Sequence, residues 1–318
     1  MATSELSLKS PHRGAAPHLA LIAVQLMFGT FPIVGKVALR SFPSLSLVAF
    51  RVVGGAIAFA GLGAVTGHLR RIRGRDWPLL VGSSVLGVVL NQWLYIAGLS
   101  RTTVINVTLL STTIPVFTLL VSILLRSDRA SLRRVLGVLL AAVGVVYLIG
   151  PQRAAFSQSS RVGDLLIIVN SLCFGTYIAI SKDLVERYHP LTVITWIFIV
   201  GILPTIPPGI VSLNQISLAQ ISFGAWAAML YIILVPTVAA YYLNSWALVR
   251  VPPSTVAVYI YLQPLIAFAL GPLLLGEKLS WRIVLASVLV FAGVLLVTRG
   301  RRVRYSPEAT EGPEAFGH

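Results

Sequence analysis

Apolar residues run almost unbroken along this chain in ten stretches of about 20, parted by short polar segments. They cover 18–40, 44–65, 78–98, 102–125, 132–150, 162–181, 190–211, 222–246, 254–275 and 279–298. A helix rising 1.5 Å per residue needs about 20 apolar residues to cross roughly 30 Å of hydrocarbon, and only a helix satisfies its own backbone there. The pattern therefore predicts an all-α integral membrane protein with ten transmembrane helices. What remains is short loops and two polar ends, 1–17 and 300–318, which read as disordered cytoplasmic tails.

The pattern also repeats. FGTFPIVGK at 28–36 returns as FGTYIAISK at 174–182, and LSRTTVINVTLLSTTIP at 99–115 returns as LVRVPPSTVAVYIYLQP at 248–264. The offsets are 146 residues (36 to 182) and 149 (115 to 264). The reading is a first repeat over 18–150 (helices 1–5), a linker at 151–161 and a second repeat over 162–299 (helices 6–10). Five spans is an odd number, so the second repeat must enter the membrane the other way round. Two inverted five-helix repeats point to secondary transport, because such carriers hold their solute at the repeat interface.

Composition and charge sharpen this. The chain is 56% hydrophobic and 11% charged, with a formal charge of +15. Its basic residues sit between spans and not along an exposed face, so no nucleic-acid partner is expected. Arg70, Arg71, Arg73 and Arg75, then Arg126, Arg129, Arg133 and Arg134, then Arg299, Arg301, Arg302 and Arg304 all fall on one side if the N-terminus is inside. The positive-inside rule then predicts a multi-pass protein of the plasma (inner) membrane with both termini cytoplasmic. The first stretch is too long for a signal-peptide core and reads as a retained helix. The lone Cys173 excludes an internal disulfide. All ten acids fall in loops, tails or span ends, which removes the usual mid-membrane carboxylate of ion-driven carriers. No HExxH, GxSxG or paired carboxylates occur in the spans, so neither an enzyme nor a metal or other cofactor is expected.

Candidate site residues come from polar groups inside the spans. Pro115 and Pro264 are equivalent by the 149 offset and each removes the hydrogen bond to the carbonyl four residues back, on Ser111 and Ile260. Paired breaks mark either a wet central site or plain packing kinks. Asn106 and Thr113 share a face of the fourth span, as do Thr255, Tyr259 and Gln263 in the ninth. Gln92 and Tyr95 in the third span map onto Tyr241 and Asn244 in the eighth, and Asn170 and Tyr177 form a stripe in the sixth. Together they outline a mostly uncharged pocket for a small amphipathic solute. Arg51 lies about 10 Å into the second span at 1.5 Å per residue, and either snorkels to the near interface or anchors the cavity. Lys36 and Lys182 end matching helices on opposite faces and could each guard one mouth. For Lys182 a surface role weighs more, because Asp183, Glu186 and Arg187 read as a polar loop. The fifth and tenth spans carry small residues at matched positions, Gly137 with Ala286 and Gly144 with Gly293, which suits a peripheral packing or dimer face. The chain is then a monomer, or a homodimer through those two helices.

These features resemble the EamA-type ten-helix permeases of the drug/metabolite transporter superfamily. The resemblance runs over about 18–299 and is carried by the FGT-to-Lys end of the first span, Pro43 followed by Arg51, the NVTLLSTTIPVF segment and the YIYLQPLIAFALGPLLLGEKLS segment. It implies a basket of ten helices in two inverted repeats, with helices 1, 3, 4, 6, 8 and 9 around a cavity and 5 and 10 outside. RSDRAS at 126–131 departs from the family pattern, with Asp128 opposite Glu277, so the two gates need not be equal in energy. The expected function is export of small metabolites by alternating access, with amino acids or similar neutral or zwitterionic solutes first. A channel or lipid scramblase using the same cavity, and a carrier of phosphorylated or carboxylate metabolites, are the alternatives.

Overall fold

The computed structural model describes residues 15–128, 131–149, 160–266 and 281–298. Among them every regular element is helical. The helices are α1 Ala16–Ala38, α2 Ser44–Val65, α3 Gly74–Arg101, α4 Val104–Leu124 and α5 Leu132–Ile149, then α6 Arg161–Arg187, α7 Pro190–Leu213, α8 Phe223–Arg250, α9 from Pro253–Val258 onward, and α10 Trp281–Thr298. Seven of these, α1 to α4 and α6 to α8, are long and apolar enough to cross a membrane. The second part of the ninth predicted span, with the GEKLS run and Glu277, lies outside the described residues.

Local sequence explains the boundaries. Pro43, Pro190 and Pro253 stand at helix starts, where a missing N–H leaves no bond unmade. Thr103 and Ser222 accept the N–H of Asn106 and Ala225 as N-caps of α4 and α8. The outside is apolar: Val65, Leu203 and Phe223 are each more than 80% exposed, a surface that only lipid would tolerate.

The two halves carry the same irregularities in the same places. α3 contains a π-helical stretch at Val85–Leu90, and α8 contains one at Ile233–Ala239. The straight ends that follow, Asn91–Arg101 and Ala240–Arg250, are 149 residues apart (101 to 250). α4 breaks at Thr112 and Thr113, and α9 tightens into a 3-10 turn at Tyr259–Tyr261 at the matching place. Packing follows the same rule. α1 lies against α8 and α3 against α6, which exchange when the halves are swapped, while α2 meets α7, α4 meets α9 and α5 meets α10.

The α5–α10 pair consumes the small residues of both helices inside one chain. A Cβ placed on Gly137 would come within 2.8 Å of the Gly293 carbonyl, and one on Gly144 within 2.9 Å of Leu289 Cβ. Helices in lipid gain nothing from hydrophobicity against each other and associate by such close packing.

Candidate solute site

A cavity of about 60 Å³ lies among the helices of both halves, several times the roughly 10–15 Å³ that one water needs. Phe28 and Phe31 of α1, Arg51 of α2, Asn91 and Tyr95 of α3, Ser111 and Ile114 of α4, Asn170 and Phe174 of α6, Tyr241 of α8, and Ile260 and Gln263 of the ninth segment line it. Of the residues singled out in sequence, Arg51, Tyr95, Asn170, Tyr241 and Gln263 are brought together here. Ser111 and Ile260, whose carbonyls Pro115 and Pro264 release, also face it.

Its walls are aromatic and its polar groups are held in place. Phe31 stacks on Tyr95 with centroids 5.1 Å apart, and Phe28 meets Phe174 and Tyr241 edge-on at 6.4 and 6.2 Å. The Tyr241 hydroxyl lies 3.0 Å from the Gly87 carbonyl in the α3 π-stretch and 3.1 Å from Asn91 Oδ1, either of which can accept its proton. Asn170 Nδ2 donates to the Asn91 carbonyl at 2.7 Å, and Gln263 Nε2 donates to Gln25 Oε1 at 2.7 Å.

Arg51 is 2% exposed and does not snorkel. Its Nε donates to Thr237 Oγ1 at 3.0 Å, and its guanidinium carbon sits 4.2 Å from the Phe31 ring centre. The Thr237 hydroxyl donates in turn to the Ile232 carbonyl five residues back, at 2.8 Å, which the π-stretch makes available. π-helical turns often mark functional sites, and here each one supplies a cavity contact.

Other candidates turn elsewhere. Asn106 Nδ2 donates to Asp164 Oδ1 at 3.0 Å and to Thr102 Oγ1 at 3.2 Å, in a buried cluster that Thr102 and Ser160 also bind. Thr113 returns its hydroxyl to the Leu110 carbonyl at 2.6 Å, and Tyr259 is bonded to His18 Nδ1 at 2.7 Å. None of these three lines the cavity, since stronger local partners hold them. Tyr177 packs behind Phe174 with centroids 5.7 Å apart, and Asn244 and Gln92 are buried outside the lining. Asn91, which spacing did not select, takes the place expected for Gln92. On a helix i−4 and i−3 are near neighbours of Tyr95, so spacing cannot choose between them.

Lys182 corrects the surface reading. α6 continues as helix to Arg187 and no polar loop intervenes. The half-buried ammonium donates to the carbonyls of Leu248, Val249 and Val251 at 2.6, 3.2 and 3.4 Å, capping the end of α8, and pairs with Glu186 at 2.9 Å. Lys36, its counterpart, is half-buried and has no hydrogen bond or ion pair among the described residues. Asp128 is clasped by Arg134 of α5 and by Ser254 at the start of α9. Asp76 is likewise held by Arg187 and Tyr188.

The glycines of the two FGT motifs show the same asymmetry. A Cβ on Gly175 would meet the Ile114 carbonyl at 3.1 Å, whereas the equivalent contact, Gly29 to the Gln263 carbonyl, would be an ordinary 3.9 Å. The broken helix of the first half is gripped tightly by α6, and that of the second half loosely by α1.

A polytopic helical bundle with a small, aromatic, sparsely charged cavity between matched halves defines a membrane transporter. The chain belongs to the EamA-like transporter family, whose model matches it twice, over residues 16–150 and 161–299. It is 27% identical over 285 residues to an uncharacterized transporter of Archaeoglobus fulgidus, covering 88% of this chain and 96% of that one. It is 26% identical over 273 residues to a probable terminal-alkyne amino-acid exporter of Streptantibioticus cattleyicolor, covering 85% and 87% of the two chains. A solved crystal structure matches the fold with a TM-score of 0.72 at 18% identity, over 90% of this chain and 98% of the other.

Proposed function

We propose that this chain is a secondary carrier that exports small metabolites from the cytoplasm, amino acids or similar neutral or zwitterionic solutes first. Ten spans in two inverted repeats, both termini cytoplasmic, would sit in the plasma (inner) membrane. The observation that carries the reading is the cavity, lined from both halves and flanked by helix breaks that recur at one offset. The similarity to a relative named as an amino-acid exporter supports the solute class.

The asymmetry between the halves supports alternating access. In the proposed orientation, Lys182 on the end of α8 and Asp128 on the start of α9 both close the cytoplasmic side. Exchanging the halves places Lys36 opposite the carbonyls of Leu99, Ser100 and Thr102, the counterparts of Leu248, Val249 and Val251 (248 to 99, an offset of 149). Closing the outer side would give Lys36 those acceptors as Lys182 releases its own, so each state keeps one lysine latch, with Arg40 standing where Lys182 has Glu186.

Release of a labelled amino-acid pool from proteoliposomes tests this. A carrier gives a rate that saturates with internal solute. A rate linear in concentration would replace it with a channel or scramblase using the same cavity.

A further inference from the structure

We propose that Arg51 is the binding site for a carboxylate on the transported solute, so that the cavity selects monoanionic carboxylate groups attached to an apolar body. This rests on the carrier reading and narrows its solute class.

The starting point is a charge without a counter-ion. Arg51 is buried, and a guanidinium stays protonated and cannot escape burial by neutralising. Taking such a group out of water costs several kcal/mol unless an anion or good acceptors replace its hydration. The described contacts supply one neutral acceptor, Thr237 Oγ1 on Nε, and the face of Phe31. No ion pair to Arg51 exists among the described residues. The buried acids there are occupied elsewhere: Asp76 with Arg187 and Tyr188, Asp128 with Arg134 and Ser254, and Asp164 with Thr102 and Asn106. Thr237 holds one edge of the guanidinium, and the group lines the cavity. An arginine anchored this way presents its remaining donors as a planar fork, the shape that meets a carboxylate bidentately.

The charge count selects the anion. Arg51 is the single charged residue among those lining the cavity. One cation balances one carboxylate, while a phosphoryl group carrying about −1.5 to −2 would leave uncompensated charge in an apolar chamber. The rest of the lining suits the remainder of such a solute. Phe28, Phe31, Phe174 and Tyr95 offer ring surface, and the amide oxygens of Asn91 and Asn170 can accept from an ammonium if one is present.

The test is equilibrium binding to the purified, full-length protein in nanodiscs, which scores the site independently of transport. The probes are two matched pairs, benzoate with benzamide and phenylalanine with phenylalaninamide. The proposal predicts that each carboxylate binds about 10- to 100-fold more tightly than its amide, the range for a hydrogen bond to a charged group. R51Q should abolish that preference, and R51K should restore part of it. The wild-type comparison needs no variant, so it stands even if R51Q does not fold. Equal binding of acid and amide, an undiminished preference in folded R51Q, or binding of neither acid would overturn the proposal. Saturable release of another solute alongside any of those results would leave the carrier reading intact.

Discussion

Lys182 is the most informative single side chain to remove. Its ammonium holds three carbonyls at the end of α8 and is 12% exposed, so solvent screens it little. Its partner Glu186 is 52% exposed, and that ion pair adds little. A charged donor on carbonyls is worth about 1.5–3 kcal/mol per bond, but one ammonium shares three imperfect contacts, so a total of about 2–3 kcal/mol is reasonable. K182M removes that from the state described here and leaves the proposed Lys36 latch of the alternate state intact. The equilibrium should then move by about 30- to 150-fold toward the alternate state. The reporter is S111C in a Cys173→Ala background, since Ser111 lines the cavity and Cys173 is the single native thiol. Reaction with a membrane-impermeant thiol reagent added from the cytoplasmic side should accelerate in K182M by a factor of that order. K36M should instead slow it. Unchanged accessibility in both variants would refute the exchange of latches.

The α5–α10 contact predicts that G293L costs stability without emptying the cavity. A Cβ there would already meet the Gly137 carbonyl at 2.5 Å, and overpacking costs about 1–3 kcal/mol, so the detergent melting temperature should fall while benzoate binding by the folded fraction persists. The loop between α6 and α7 predicts a pH response. Partial burial and the charges of His68 and Arg250 hold the His189 imidazole below its ordinary value, and its Nδ1 accepts the Leu191 N–H at the start of α7. The unfolded chain therefore binds the proton more readily, and stability should drop as pH falls from 7 through the ordinary histidine range. H189N, which keeps an acceptor, should flatten that part of a melting-temperature profile; an unchanged slope would contradict it.

Much of the architecture was legible in the hydrophobic pattern because lipid imposes a length and a backbone rule on every span. The predicted second span, 44–65, coincides with α2, and the other described helices begin or end within a few residues of their stretches, apart from the longer ends of α3, α6 and α8. α6 outran its prediction because Lys182, Asp183, Glu186 and Arg187 look like a loop, while helical spacing pairs Lys182 with Glu186. The cavity was legible where a proline break or a repeated polar position marked it, as at Ser111, Gln263 and Tyr241. It was not legible where a local partner captured the side chain. Asp164 claims Asn106 across 58 residues, and His18 claims Tyr259 across 241. Phe28 and Phe174 head the two FGT motifs, which were read as a sign of duplication and not as cavity walls; Phe31 carries no distinguishing signal among many apolar residues, and the π-stretch that aims Thr237 at Arg51 is marked only by Pro236, with no equivalent proline in α3.

Solute exchange in proteoliposomes separates alternating access by a two-sided carrier from passage through a pore. Vesicles loaded with labelled phenylalanine would be diluted into buffer with or without unlabelled phenylalanine outside. External solute should accelerate release of the label, because a loaded carrier resets faster than an empty one. Release that is rapid but indifferent to external solute would contradict alternating access and leave a pore through the same cavity.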